Sequence, residues 1–225
     1  NSLNFFDYFQ QKKIIKFLKK KLNSKIILID VGSHHGETVS LFSREFELEQ
    51  FYCFEASPIN FNILKKNIEN RQFKGEYELN NLGLSDKDGT NFLHQTHETS
   101  SSTINDLNLE SKYLKRKLKI LNIKSEKDFF KKIPIKLTSL DNYIEKKNLY
   151  KIDILKIDTE GYEFNVLKGL RRHYKLVKFI YFEHHYDDMI KKNYKFSNIN
   201  KLLNNFGFKK VFKSKMYFRK SFEYI

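Results

Sequence analysis

The sequence predicts an α/β protein with a mostly parallel central sheet, helices on both faces and an antiparallel strand near its C-terminal end. Three observations point there. Short apolar runs alternate with helix-spaced segments through most of the 225 residues, which is the pattern of a doubly wound sheet. Polar or glycine-bearing turns follow several of those runs, where open α/β sheets carry their ligands. The last stretch abandons the alternation for two consecutive runs, 208–212 and 216–222, read as an antiparallel hairpin at the sheet's edge.

Residues 4–22 space Phe5, Phe6, Phe9, Ile14, Phe17 and Leu18 near one helical face. This helix is expected to cover either an edge of the core or a partner subunit, which leaves a homo-oligomer open. A buried strand at 25–31 follows, then a helix with Val39, Phe42 and Phe46 inward. A second strand at 51–54 ends at Glu55, and Ser57-Pro58 opens a helix, with Ser57 at the N-cap and Pro58 in the first turn. Strands are expected at 77–84, 91–95, 133–137, 152–157 and 177–182, and helices at 141–147 and 162–172. Between 96 and 132 the rhythm breaks into a Ser/Thr cluster and a Lys-rich helical stretch, the candidate lid or substrate segment. With two Pro, eight Gly and no internal repeat, the expectation is a single domain over 1–225, with an N-terminal helical segment at 1–24.

Composition narrows the function. Charged residues make up 31% of the chain, the mean hydropathy is −0.60, and no apolar run reaches the roughly 20 residues a bilayer crossing needs. The chain opens Asn1-Ser2-Leu3-Asn4 without an initiator Met or an apolar signal core, so it reads as a trimmed chain rather than a processed secretory one. A single cysteine, Cys53, rules out a disulfide scaffold and a cysteine zinc site, and suits a reducing, cytoplasmic compartment. The net charge of +15 raises a nucleic-acid partner. Against it, only six of the 42 basic residues are Arg, and the Lys are spread from Lys12 to Lys220. Arg is the residue that forks onto phosphates, so the reading is a generally electropositive surface that attracts small anions.

The strand ends collect an unusual polar set. The first delivers Asp30 and Gly32-Ser33-His34-His35-Gly36, the second Glu55, and the third Gly83 to Asp86. Later strands add Lys156, Asp158 and Glu160, then Glu183-His184-His185. An acid ahead of G-x-x-x-G repels a pyrophosphate but suits an ammonium group, and Glu55 is placed to accept both hydroxyls of a ribose. A ligand with a cationic amino-acid end and a nucleoside end is S-adenosylmethionine.

DVGSHHGET at 30–38, FEASP at 54–58, LTSLDNYI at 137–144, DILKIDTEGYEFNVLKGL at 153–170 and IYFEHH at 180–185 resemble the FkbM family of S-adenosylmethionine-dependent methyltransferases. The resemblance runs from about residue 26 to residue 185, and its KID-x-EG-x-E segment is the most specific part. It implies a class I methyltransferase, Rossmann-like fold and methyl transfer to oxygen, often on a sugar or another secondary metabolite, as in polysaccharide assembly. One departure is His34-His35, where the family commonly carries Ala-Asn.

Cofactor contacts are accordingly expected from Asp30, Gly32, Ser33, His34, Gly36 and Thr38, from Glu55, Ala56 and Ser57, and from Leu84, Ser85 and Asp158. Thr38 matches the family position near the methionine carboxylate. Methyl transfer needs an oriented acceptor whose proton is removed by a base or whose pKa is lowered by a metal. Asp158 is the expected centre of the reaction zone, on the same strand face as Lys156, with Glu160, Glu183 and His184 converging on it. Asp158, Glu183 and one histidine, His184 being favoured, form a candidate Mg²⁺ or Mn²⁺ site; a general base at His184 is the competing role. Ser101, Ser102, His97 and His185 are candidate contacts for a sugar or nucleotide-sugar acceptor, with Lys112, Lys115, Arg116 and Lys117 suited to its anionic part. The rival functions are an RNA methyltransferase and a non-catalytic cofactor-binding module. An N/D-P-P-Y/F tetrapeptide and a catalytic cysteine motif are both missing, which speaks against base methylation.

Overall fold

A computed structural model describes residues 2–123, 126–216 and 221–225, with side chains described from residue 11 onward except at 124–127 and 217–220. In chain order the elements are α1 (Ser2–Lys19), β1 (Lys25–Val31), α2 (Glu37–Glu45), β2 (Glu47–Phe54), α3 (Pro58–Glu69), β3 (Glu76–Asn80), β4 (Gly83–Ser85) and β5 (Gly89–Thr96). There follow α4 (Lys112–Ile120), α5 (Glu126–Phe129), β6 (Phe130–Ser139), α6 (Leu140–Lys147), β7 (Ile152–Ile157), α7 (Glu163–Lys168), β8 (Val177–His185), α8 (Phe196–Asn205), β9 (Lys213–Lys215) and β10 (Ser221–Tyr224).

Seven strands form the main sheet in the order β3-β2-β1-β7-β8-β10-β9. Its first five are parallel, and β10 is antiparallel to both of its neighbours. Because β1 and β7 are buried on both faces, they read as unbroken apolar runs instead of alternating ones. On one face β1, β2 and β7 pack Ile26, Leu28, Phe51 and Ile154 against Ile14 and Leu18 of α1, Phe42 of α2 and Leu64 of α3. On the other, Ile29, Leu155, Ile157 and Phe182 meet Ile144 of α6, Val166 of α7 and Ile199 of α8. Period-2 alternation therefore sorts polar residues too: Asp30, Lys156, Tyr181 and Glu183 share the α1–α3 face.

Several expectations need correction. The strand expected at 77–84 is two strands in different sheets, because the chain breaks at Asn81-Leu82 and β4 joins a separate three-stranded sheet, β4-β6-β5. The strand at 133–137 likewise belongs there, as part of β6, and not to the parallel sheet. Residues 208–212 form no strand; the antiparallel pairing is made by β9 and β10, which together form one edge of the sheet as expected, with β10 inside and β9 outermost. Residues 217–220 of the expected run 216–222 and the side chains of Phe5, Phe6, Tyr8 and Phe9 lie outside the described residues. Helix α8 had no sequence expectation. Among the described residues, no helix is long and apolar enough to cross a membrane.

Candidate active site

At the carboxyl end of the sheet, β1 and β7 release their chains side by side, and the backbones nearly touch. Gly32 (φ +78°) is set so that a Cβ would lie 1.9 Å from the Asp158 carbonyl oxygen. Only glycine fits both the positive φ and this contact. The Asp158 amide donates to the Val31 carbonyl at 2.9 Å, which seals the crossing point.

A cavity of about 70 Å³ opens on the β2 side of this crossing, with Gly32, His34, Glu55, Ala56, Leu84 and Asp158 in its wall. Glu55 is tied down by the His34 and Ser57 amides, each 2.8 Å from one carboxylate oxygen. Burial pushes its pKa up to about 7 against those two donors. The Ser/Thr-rich loop closes the top: His34 Nε2 lies 3.0 Å from Thr99 Oγ1, and the Thr103 hydroxyl donates to the Glu160 carbonyl at 2.8 Å.

A second cavity of about 200 Å³ lies on the α1–α2 side and shares Gly32, His34, Ser100, Asp158 and Glu160 with the first. Its floor is a buried charged strip. Lys156, 4% exposed, sits 3.3 Å from Asp158 Oδ2 and over the Tyr181 ring, 4.6 Å from its centroid. Burial opposes the ammonium charge, but Asp158, Glu223, Glu183 and Asp30 outweigh it and raise its pKa. Burial likewise lifts Asp30 and Glu223 to about 7, with Lys156 pulling both down. The Tyr181 hydroxyl donates to Glu223.

The D-T-E-G-Y-E turn after β7 explains how Glu160 reaches this place. Glu160 (φ +49°) and Gly161 (φ +93°) reverse the chain. Glu163 then folds back to accept from the Gly161 amide at 2.8 Å and from Tyr194 at 2.6 Å, so it is a brace. Asp141 plays the same part in LTSLDNYI, accepting from the backbone amides of Arg171, Arg172 and His173.

Of the expected cofactor contacts, Gly32, His34, Glu55, Ala56, Leu84 and Asp158 line the first cavity, and Ser33 and Thr38 line the second. Asp30 is wholly buried and in neither wall. Gly36 precedes α2, Ser57 caps α3 through Asn60, and the Ser85 hydroxyl pairs with Tyr162 at 2.9 Å, so these three shape the loops from behind.

Of the expected catalytic group, Lys156, Asp158, Glu160 and Glu183 do converge. His184 does not. Strand alternation turns it to the α8 face, among Tyr186, Tyr194 and Phe196, where burial and the nearby Lys192 lower its pKa to about 4. His185 takes its place, with Nε2 3.3 Å from Glu160 and 3.4 Å from Glu183. Burial works against its charge, yet Glu160, Asp187 and Glu183 raise its pKa to about 10.

The expected acceptor contacts also rearrange. Ser101 accepts from Lys117 at 2.5 Å, and Lys117 pairs with Glu98. Ser102 is spent inside its own loop on Thr99, Gln95 and Thr96, although it still borders the first cavity. The His97 amide donates to Phe129, and its side chain lines neither cavity. Lys115 pairs with Glu110. Residues missed in the sequence include Gln11, Tyr181, Met216 and Glu223, all in the second cavity's wall. Tyr181 was discoverable, being two residues from Glu183 on one strand; Glu223 needed the β8–β10 register.

Residues 30–210 match the methyltransferase FkbM domain model. The chain belongs to the FkbM methyltransferase family. Among curated relatives, Methyltransferase 1 of Beauveria bassiana (strain ARSEF 2860) is 24% identical over 147 residues, which is 64% of this chain and 57% of that protein. This FkbM chain thus spans less than two thirds of that relative's length. The crystal structure of methyltransferase FkbM from Methylobacillus flagellatus KT superposes with a TM-score of 0.52 at 14% identity, covering 90% of this chain and 44% of that one. M. capricolum TrmK, solved with S-adenosylhomocysteine, gives a TM-score of 0.51 at 12% identity over 93% of this chain and 64% of that one. The fold is that of the class I S-adenosylmethionine methyltransferases.

Proposed function

We propose that this FkbM-family chain transfers a methyl group from S-adenosylmethionine to a hydroxyl of a sugar, nucleotide-sugar or related intermediate of polysaccharide or secondary-metabolite assembly. The observation that carries the reading is the junction of two cavities at Gly32 and Asp158, with Glu55 at one end and a buried acid-rich strip at the other. The residues fit the cofactor. Each Glu55 oxygen already takes one amide hydrogen and keeps lone-pair capacity for a ribose hydroxyl. Asp158, Glu160, Glu183 and Glu223 line the second cavity against one buried lysine, Lys156, and this surplus of carboxylates suits a ligand bearing sulfonium and ammonium charges.

When bound, the cofactor supplies an electrophilic methyl group. The chain's own residues do the rest. The Gly32 crossing, lacking a side chain, lets a ligand lie against bare backbone. Asp158 and Glu160, shared by both cavities, orient the acceptor hydroxyl and take up its proton. Lys156 fixes the Asp158 carboxylate. Loop 96–103 shuts water out from above, within the 96–132 segment that we assign to substrate recognition in a single-domain enzyme. Buried, unpaired Cys53 agrees with a cytoplasmic setting.

Calorimetry with S-adenosylhomocysteine tests the reading. Micromolar binding is expected, weakened about tenfold or more in Glu55→Ala through loss of the ribose contact. Asp158→Ala should abolish methyl transfer to a panel of nucleotide-sugars while its melting remains cooperative. No binding to the wild-type chain at millimolar ligand overturns the proposal.

A further inference from the structure

We infer that Asp158 and Glu183, in the wall of the second cavity, and His185 behind it form a site for a divalent cation; the methyl-transfer reading is needed only for the ion's role, not for its binding. One donor atom from each of the three lies within 4.8 Å of the others. Two ligands about 2.2 Å from one ion on opposite sides stand about 4.4 Å apart, so small side-chain movements close the set. The placement follows from topology. Glu183 and His185 sit two apart on β8 and share a face, and Asp158 leaves the end of the neighbouring parallel strand β7.

Two independent observations suit a cation at this place. Among the described residues, Glu183 Oε1 and His185 Nε2, on residues 3% and 7% exposed, make no hydrogen bond and are met only at ion-pair distance, 3.4 Å from each other and 3.3 Å from Glu160 to the ring nitrogen. Beside Glu183 in the β8–β10 register, Glu223 Oε2, on a residue 2% exposed, likewise makes no hydrogen bond among the described residues. Buried polar atoms are seldom left so, because each has given up its hydration without a replacement partner. The second observation is behind the ring: His185 Nδ1 faces Asp187 Oδ2 at 3.6 Å. A carboxylate on the far nitrogen is how a metal-ligating histidine is oriented, with the other nitrogen turned to the ion.

Two carboxylates and one imidazole with open positions suit Mn²⁺ or a similar ion. Bound there, the cation would take the acceptor hydroxyl as a further ligand and lower its pKa, leaving Glu160 to receive the proton. His34, His35 and Glu37 make the other grouping of metal-binding types among the described residues, but Glu37 is exposed and His34 is engaged with Thr99.

The test is a titration of the chelator-treated chain with Mn²⁺ alone, following free Mn²⁺ by electron paramagnetic resonance. About one ion per chain is expected. Asp158→Asn, Glu183→Gln and His185→Ala should each weaken binding about tenfold or more, whereas Glu37→Gln should not. In the unaltered chain with labelled histidines, Mn²⁺ should broaden the NMR signals of His185 ahead of those of His34 and His35, a readout that survives any misfolding of the variants. Absence of binding, or binding and broadening that follow Glu37 and His34 instead, overturns the site. Metal-free S-adenosylhomocysteine binding is measured in parallel: its loss with Mn²⁺ retained counts against the methyl-transfer reading alone, and the reverse counts against the metal alone.

Discussion

At Gly32 one hydrogen atom decides whether the two cavities exist. A methyl group there meets the Asp158 carbonyl at 1.9 Å and holds φ at +78°, so Gly32→Ala must push β1 and β7 apart at their ends. The expected cost is about 2–4 kcal/mol, read as a lowered urea midpoint, together with loss of S-adenosylhomocysteine binding. His184 titrates oppositely to the nearby carboxylates. Its folded pKa of about 4 lies below the usual 6.5, so in acid the unfolded chain takes up a proton that the folded chain refuses. The stability present above pH 6.5 is lost as pH falls from 6.5 to 4, by up to about 3 kcal/mol. His184→Phe should flatten that part of the stability–pH curve, measured by urea unfolding at half-unit steps. Glu183, His184 and His185 were all legible as strand-end residues. Which histidine faces the site was not, because the sequence alone left the strand's faces unassigned.

Between β5 and β6 the chain makes its most independent element. Residues 97–123 hang on the loop after β8 through the Asn108 amide to Met189, the Lys191 amide to Asp106, and Ser111 to Asp188 at 2.7 Å. Leu107, Leu114, Leu118 and Phe129 bury a small apolar cluster there with Met189 and Ile190. The Thr103 hydroxyl and Asn105 amide reach the Glu160 and Gly161 carbonyls at 2.8 and 2.5 Å, joining this element to the catalytic turn. Thr103→Val should cost about 1 kcal/mol locally, seen as about fivefold faster amide exchange over 99–105 with little change in the global midpoint. The Ser/Thr cluster announced this segment in the sequence. Its hydroxyls mostly close their own loop, a local competition that composition cannot resolve.

The whole molecule depends on a sheet with two apolar faces. Leu155, fully buried in the α6–α8 core, lies next to Ile154, which faces the opposite core. Leu155→Ala should cost about 2–5 kcal/mol and keep a single denaturant transition, since the same strands carry both layers; two separated transitions would contradict this coupling. Read in order, the chain by itself determined the alternating elements, the β1 and β7 strands and the acids at their ends, because burial on both faces and helix caps are written in local periodicity. Only the tertiary structure decided that 77–84 splits between two sheets, that β10 enters between β8 and β9, and that His185 rather than His184 faces Glu160 and Glu183. Those outcomes depend on pairing between segments far apart in the chain, and local patterns of period two or 3.6 carry no record of which distant strand supplies the neighbouring edge.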